Sequence, residues 1–452
     1  MSLYTIIGAG PVGTLMAVML SRRGQSVRLL ERRPDPRAAP PERGRSINLA
    51  LAARGIVALE QAELMSLIAP QMIAMRGRML HDELGALEFL RYGQNEREVI
   101  YAIDRERLNR VLLEAAASCA GIEFEFGQRC IDVDPQAGIV RLRAEDTGAV
   151  RSVPYQILLA ADGAASAVRT ALVARGLSRA DEQPLAHDYK ELVIPPRRGT
   201  LAAADYVFEP HALHIWPRGD HMLIALPNTD GSFTATLFLP RHGDSGFDRL
   251  DGEAAVRSFF QHQFTDAAAA IPDLTQQFAA HPQSRISTLH CERWQAKGRI
   301  LLLGDAAHAI APFHGQGLNC GFEDCRILDR LLVSHIDVGA AFAEFERERR
   351  PNTDAIAAMA LENYLEMREA VRSRQFAPRQ QLAAELERRF PGRFIPRYSM
   401  VMFHPEIPYA EAKRRGEQQQ RVLDALPVQL AAAPLDASVL ATVRSRLDEA
   451  GL

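Results

Sequence analysis

Apolar residues follow two rhythms along this chain. In the first, a short unbroken apolar run ends on glycine or an acid and is followed by a stretch of helical period. Tyr4-Thr5-Ile6-Ile7 predicts a buried strand, Gly8-Ala9-Gly10-Pro11-Val12-Gly13 a tight turn, Leu15 to Ser21 a helix and Val27-Arg28-Leu29-Leu30 a second strand. Leu51 to Leu67 has the spacing of an amphipathic helix, and Asp104 is placed to cap a helix running to about Cys119. Ile122 to Phe126 and Ile139 to Ala144 alternate like strands. Gln156 to Ala161 and Gly298 to Leu303 are two more buried strands, delivering Asp162-Gly163 and Gly304-Asp305 at their ends.

The second rhythm is the strict alternation of half-buried strands. It predicts a hairpin from Arg76–His81 and Leu87–Tyr92 around Asp82-Glu83-Leu84-Gly85. It also predicts a mostly antiparallel sheet from Tyr206–Phe208, Leu213–Pro217, His221–Pro227 and Phe233–Pro240. After Ala340 the period is helical, with Phe342–Arg350, Asp354–Arg374 and Leu382–Arg389 as segments and the charged clusters Glu344–Arg350 and Lys413–Arg421 as solvated faces. The fold class is therefore α/β: a Rossmann-like nucleotide-binding domain (1–70, 100–185 and 286–340), interrupted by a hairpin (71–99) and a β-sheet domain (186–285), then a helical region (341–452).

Composition changes this picture little. A chain of 452 residues with net charge −3 and 47% hydrophobic residues has the length for two or three domains and no basic footprint for nucleic acid. Five cysteines, odd in number and without metal-type spacing, argue against a disulfide framework and a structural zinc site; Cys320 and Cys325 read as small buried apolar residues. The apolar stretch Ile6–Leu20 has its basic pair, Arg22-Arg23, on the wrong side for a signal peptide. No window reaches the ~18 apolar residues of a membrane span. A cytoplasmic enzyme without a membrane anchor is expected.

Chemistry enters with the first turn. Gly8 permits the sharp bend, Gly10 lets backbone amides approach a pyrophosphate, and Gly13 lets helix and strand pack. The helix N-terminus then faces the phosphates, and Glu31 closes the second strand where a ribose needs an acceptor. This suits FAD or NAD and disfavours NADP at this site. The strand-end features near residues 8, 162 and 305 point at one ligand. Arg43 and Arg45 could meet phosphate or solvent. Arg78 could be a carboxylate clamp or a surface arginine. Ile224 and Leu226 share one strand face, which Phe238 could join, as core or as a flat wall for an aromatic ring.

The GxGxxG with Glu31, Asp162-Gly163 with Ser166 and Arg169, and Gly304-Asp305 with its proline-bearing loop resemble the FAD-dependent aromatic hydroxylases, the single-component flavoprotein monooxygenases. Arg45–Leu51, His214-Ile215-Trp216-Pro217, Ile224–Asn228 and Phe313–Gly317 are similar to the branch of that family acting on kynurenine. The resemblance implies FAD as cofactor, NADPH as reductant, O2 as co-substrate and L-kynurenine as substrate, hydroxylated through a flavin hydroperoxide. It further implies cofactor contacts at Gly8, Gly10, Val12, Gly13, Glu31, Arg32, Arg33, Ala50, Arg105, Cys130, Asp162, Asp305, Leu318 and Asn319. Arg78 and Tyr92 would hold the substrate carboxylate, with Asn363 and Tyr398 completing the pocket. The ring would lie against Ile224, Leu226, Phe238, Pro312, Phe313 and His314. No residue is assigned as acid or base; His314 could be a general base or simple pocket packing. A related hydroxylase of another aromatic acid and a non-catalytic FAD sensor are the alternatives, and the chain could be monomer or homodimer.

Overall fold

The computed structural model describes residues 3–38, 48–197, 205–369, 376–426 and 437–452, so Arg43 and Arg45 lie outside the described residues. The chain forms two compact units. The first comprises Met1–Ile73, Tyr101–Leu185 and Arg285–Ala357; the second comprises Ala74–Ile100, Ala186–Ser284 and Ala358–Leu452.

The first unit is built on a sheet in the order Gln295–Ala296, Ile300–Leu302, Ile157–Ala160, Leu3–Ile7, Ser26–Leu30, Ile122–Glu125. All neighbours run parallel except the first pair. A parallel sheet is covered on both faces, which is why its strands read as continuous apolar runs. The helix Pro11–Arg22 shows how one side is covered. Proline at its first turn starts it without losing a hydrogen bond, and Leu15, Met16, Val18 and Leu20 are buried against the sheet. Each such side chain contributes about 1.5–3 kcal/mol. Asp104 caps the helix Arg105–Ala117, accepting from the Arg107 amide at 2.7 Å.

In the second unit strands follow in the order Ala180–Ile194, Phe233–Pro240, Met222–Pro227, Ala212–Pro217, Gly77–His81, Leu87–Arg91. Ala212–Pro217 and Gly77–His81 pair in parallel, and the other neighbours in this order pair antiparallel. One face carries Leu192, Trp216, Leu223, Ala225, Phe233, Ala235 and Leu237, and packs on Phe260, Phe264 and Phe278 of the helical layer Glu253–Ala280. A C-terminal cluster of Leu382, Leu386, Phe390, Phe394, Val422, Val443 and Leu447 ties together the helices Phe376–Arg389, Tyr409–Asp424 and Ala437–Glu449.

Three expectations need correction. Tyr206–Phe208 forms no strand; Tyr206, Val207 and Phe208 instead pack irregularly against the sheet core. Leu51–Leu67 is not one helix but Ala53–Gln61 and Met65–Ile68, broken at Glu63, whose φ of 53° ends the first. The expected break before Asp354 is absent, and one helix runs Val338–Glu369 with Pro351 inside it. No described helix is long and apolar enough to cross a membrane.

Candidate functional site

The parallel ladder sets the strand ends of the first unit side by side. The Gly8 amide donates to the Leu30 carbonyl at 2.7 Å, Ala161 to Ile7 at 2.8 Å, and Leu303 to Ala160 at 2.8 Å. Gly8, Glu31, Asp162 and Gly304-Asp305 therefore stand along one edge, where open α/β sheets bind ligands.

The glycines differ in what they permit. Gly8 has φ 103°, and a Cβ there would lie 2.4 Å from the Ala161 carbonyl oxygen. A Cβ on Gly13 would lie 2.0 Å from the Gly8 carbonyl oxygen, whereas one on Gly10 would meet nothing within 4 Å. The protein itself thus leaves open space beside Gly10, at the start of a helix whose amides can meet a phosphate. Gly13→Ala is expected to prevent accumulation of folded protein. Gly10→Ala should yield folded protein that retains FAD about tenfold less tightly. Bound flavin absorbance after gel filtration checks both, and full flavin retention by Gly10→Ala would refute the assignment.

Glu31 is buried; its Oε2 accepts from the Ala9 amide at 2.8 Å, and its Oε1 from the Arg33 amide at 3.0 Å and Arg33 Nε at 2.8 Å. Burial acts to raise its pKa, but Arg33 and the two amides outweigh it and keep the carboxylate ionised. Oε2 retains a lone pair for a ribose hydroxyl. Asp162 Oδ2 accepts from the Ala167 amide at 2.8 Å, while Oδ1 is shielded from solvent with no hydrogen-bond partner among the described residues. Burial raises the Asp162 pKa. Cys130 lies within electrostatic reach of Asp162, and burial pushes its thiol up to about 12. Arg169, whose amide is capped by Ser166 at 3.0 Å, donates Nη1 to the Ala306 carbonyl at 3.0 Å, tying the Asp162 turn to the Asp305 turn. Asp305 reaches solvent, yet the surrounding protein still raises its pKa by desolvation; His308 and Arg105 act against the rise.

Around the helix Gly317–Ser334 the expected contacts divide. Asn319 spends its side chain on protein: Oδ1 accepts from Ala52 at 2.8 Å, and Nδ2 donates to the carbonyls of Ala50 and Gly315 at 2.7 and 2.8 Å. What remains for a ligand there is the first-turn amides, including Leu318. Val12 is half-buried, and a Cβ on Gly321 would lie 2.7 Å from its Cγ2. Arg32, Arg33 and Arg105 are exposed at the rim. The unsatisfied Asp162 oxygen, the open space at Gly10 and the two helix starts fit a dinucleotide such as FAD.

Beneath that helix lies a network the sequence did not reveal. Arg349 donates Nε to Asp324 Oδ1 at 2.7 Å and Nη1 to Glu323 Oε2 at 2.6 Å, Arg54 Nη1 reaches Glu323 Oε1 at 2.7 Å, and His308 Nε2 meets Asp324 Oδ2 at 2.6 Å. Arg349 and Arg54 are each 1% exposed, so the Glu344–Arg350 cluster is not a wholly solvated face. The available signal was Glu323-Asp324 inside an otherwise apolar helix turn, since buried acids demand buried cations.

In the second unit, Arg78 pairs with Leu213 on one side and Leu90 on the other. Ile215 faces Ile224, which faces Thr236, while Met222 faces Phe238 and Leu226 faces Thr234. By the two-residue period, Arg78, Leu213, Ile224, Leu226 and Phe238 all project from one face, opposite the face packed on the helical layer. Arg78 lies 4.4 Å from the Tyr398 ring centre and 5.7 Å from that of Tyr92, and the two rings stack at 5.6 Å. Arg78 Nε and the Tyr92 hydroxyl are shielded from solvent and have no hydrogen-bond partner among the described residues. Burial acts to lower the Arg78 pKa, but the Tyr398 and Tyr92 oxygens outweigh it and the guanidinium stays charged. Burial raises the Tyr92 hydroxyl well above its ordinary value, leaving it a donor. Tyr398 comes from the helix Arg397–Phe403, anchored by Arg397 to Glu366 at 2.8 Å. Asn363 is buried, with Nδ2 3.3 Å from Met367 Sδ. Pro312, Phe313 and His314 belong to the first unit, on a short 3-10 turn; Pro312 is exposed and the other two are buried.

Comparison with known proteins places these features in a family. A family model described as an FAD binding domain matches residues 3–360. The kynurenine 3-monooxygenase of Stenotrophomonas maltophilia (strain K279a) is 47% identical over 419 residues, 93% of this chain and 91% of that one. That of Myxococcus xanthus (strain DK1622) is 45% identical over 412 residues, 91% of this chain and 88% of that one. In solved structures the same fold occurs in the tetrameric form of 2-methyl-3-hydroxypyridine-5-carboxylic acid oxygenase, with a TM-score of 0.66 at 19% identity over 85% of this chain and 95% of that one. A glycine turn, three strand-end acids and a match running through nearly the whole sequence lead to one conclusion: the chain belongs to the FAD binding domain family and, within it, to the family of the kynurenine 3-monooxygenases.

Proposed function

We propose that this protein hydroxylates L-kynurenine at the ring carbon beside the amine, giving 3-hydroxykynurenine. Kynurenine, O2, NADPH and a proton become 3-hydroxykynurenine, water and NADP+. The observation that carries the reading is the buried pair of Arg78 Nε and the Tyr92 hydroxyl, two polar groups with no hydrogen-bond partner among the described residues, on the face that also bears Ile224, Leu226 and Phe238. An amino-acid carboxylate satisfies both donors, and a flat apolar ring suits the wall beyond them.

Bound FAD, reduced by NADPH, supplies the activated oxygen. The chain's own part is to hold and orient. Glu31, Asp162, Asp305 and the amides at Gly10 and Leu318 would grip the cofactor. Arg78 and Tyr92, with Tyr398 stacked over them and Asn363 on the helix Val338–Glu369, would fix the carboxylate end of the substrate. The ring amine already donates electron density to the carbon that is attacked, so the protein must supply alignment and exclusion of water rather than a nucleophile or base. We place the enzyme in the cytoplasm, with NADPH as its soluble reductant.

The test is anaerobic flavin reduction by NADPH with and without kynurenine, followed by admission of O2 and assay for 3-hydroxykynurenine. Kynurenine should accelerate reduction at least about tenfold and be hydroxylated. Stimulation only by a different aromatic acid would indicate a sister hydroxylase, and a yellow protein that consumes no oxygen with any aromatic substrate would be a sensor.

A further inference from the structure

The strand that carries Arg78 ends at His81, on the face turned toward the helical layer, and His81 is 1% exposed. His81 Nδ1 lies 2.6 Å from Asp266 Oδ2, and His81 Nε2 lies 2.8 Å from His214 Nδ1. The far nitrogen of His214, Nε2, is 2.8 Å from the Glu209 carbonyl oxygen.

Donor and acceptor roles along this chain are fixed from its end. A carbonyl oxygen only accepts, so His214 Nε2 carries hydrogen. Burial lowers the His214 pKa to about 4, so the ring is neutral and its Nδ1 offers a lone pair. His81 Nε2 must then donate to it. At the other edge, Asp266 Oδ1 accepts from Trp216 Nε1 at 2.8 Å and from the Ala267 amide at 2.9 Å. Although burial acts to raise the Asp266 pKa, His81, Trp216 and Ala267 outweigh it, and the ionised carboxylate accepts at Oδ2 as well. Both nitrogens of His81 are donors. The ring also stacks on Trp216, with centres 4.0 Å apart and planes at 28°, an arrangement that favours a cation.

We infer that His81 is held as an imidazolium between Asp266 and His214, and that this buried chain positions the Arg78 strand for substrate binding. The inference rests on the functional reading above for its substrate but not for its protonation state. The strand needs such an anchor. One neighbour, Leu87–Arg91, is an edge strand exposing Leu87 and Phe89, and edges hold their neighbours weakly. The anchor is completed by Arg218, whose Nη1 donates to the His81 carbonyl at 3.0 Å, Nη2 to the Asp82 carbonyl at 3.2 Å and Nε to the Gln263 carbonyl at 2.6 Å. The charged groups around the site are Asp266, Arg218, Asp82 and Glu83, with neutral His214. Arg78 and His81 thus lie three residues apart on opposite faces, one toward the substrate and one toward the scaffold.

Two measurements on the FAD-loaded enzyme test this. In protein labelled with 15N-histidine, the His81 ring should show two protonated nitrogens near neutral pH. Asp266→Asn, which offers the ring an amide donor, should convert it to one protonated and one bare nitrogen. In steady-state assays His81→Leu should raise the KM for kynurenine about tenfold, with kcat and bound FAD within about twofold. The KM for kynuramine, which lacks the carboxylate, should not change, because only the Arg78 contact depends on the strand end. An unprotonated His81 nitrogen in the parent enzyme, or an equal rise in KM for both substrates, would overturn the inference. If His81→Leu does not fold, the nitrogen shifts and the two KM values of Asp266→Asn decide. If the parent enzyme does not hydroxylate kynurenine, the functional reading fails, and the nitrogen shifts alone decide the protonation.

Discussion

Arg78→Ala should leave a yellow, folded enzyme whose KM for kynurenine is raised by two orders of magnitude or more. Truncating one partner of a buried, hydrogen-bonded charge pair costs about 2–5 kcal/mol, or roughly 30-fold to several-thousandfold in apparent affinity. The high end is expected here because Arg78 Nε and the Tyr92 hydroxyl have no hydrogen-bond partner among the described residues. Arg78→Lys should recover only part of the loss, since an ammonium keeps the charge but not the planar fork. FAD content should be unaffected, because Arg78 is not among the residues assigned to hold the cofactor. Steady-state kinetics with flavin quantification give both numbers. An unchanged KM would remove Arg78 from the substrate site.

Arg349→Met is expected to have the largest effect on stability. It leaves Glu323 and Asp324 buried with a missing counter-ion, and breaking a buried pair this way costs about 3–5 kcal/mol. For a chain of 452 residues, with an unfolding entropy of about 2.1 cal/mol/K per residue, that is a fall of roughly 3–5 °C in melting temperature. The pH dependence has a definite sign. Burial acts to raise the pKa values of Glu323 and Asp324, but Arg349, with Arg54 at Glu323 and His308 at Asp324, outweighs it and lowers both. Their contribution to stability is therefore present above the unfolded carboxylate pKa of about 4 and is lost as pH falls through the lower folded values. The gap between parent and variant should be widest near neutrality and narrow in acid. A fall of less than about 2 °C at neutral pH would show that the network carries little of the stability.

What could be read from the amino-acid order follows from how local each signal is. Glu31, Asp162 and Asp305 were readable because each sits at the end of a short apolar run, and a parallel sheet necessarily gathers such ends along one edge. The common face of Ile224 and Leu226 followed from the two-residue period, but whether it met core or ligand depended on register, which set Phe238 opposite Met222 and Arg78 beside Leu213. Arg349 was unreadable. It lies among charged residues typical of a wet helix, and only its partners Glu323 and Asp324, 26 and 25 residues earlier, make it a core group. His81, His214 and Asp266 hid in the same way, being spread over 185 positions with no shared motif.

The single sheet face that carries both the guanidinium and the apolar stripe works as a ruler. Neighbouring strands are about 4.8 Å apart, so the strand of Ile224 and Leu226 lies about 10 Å from the Arg78 strand and that of Phe238 about 14 Å away. Those intervals are set by backbone ladders that no side-chain substitution can stretch. On the proposed assignment of Arg78 to the carboxylate and the apolar stripe to the ring, selection among aryl amino acids becomes a matter of length, and a compound one carbon shorter between the two should hold the clamp while falling short of the wall.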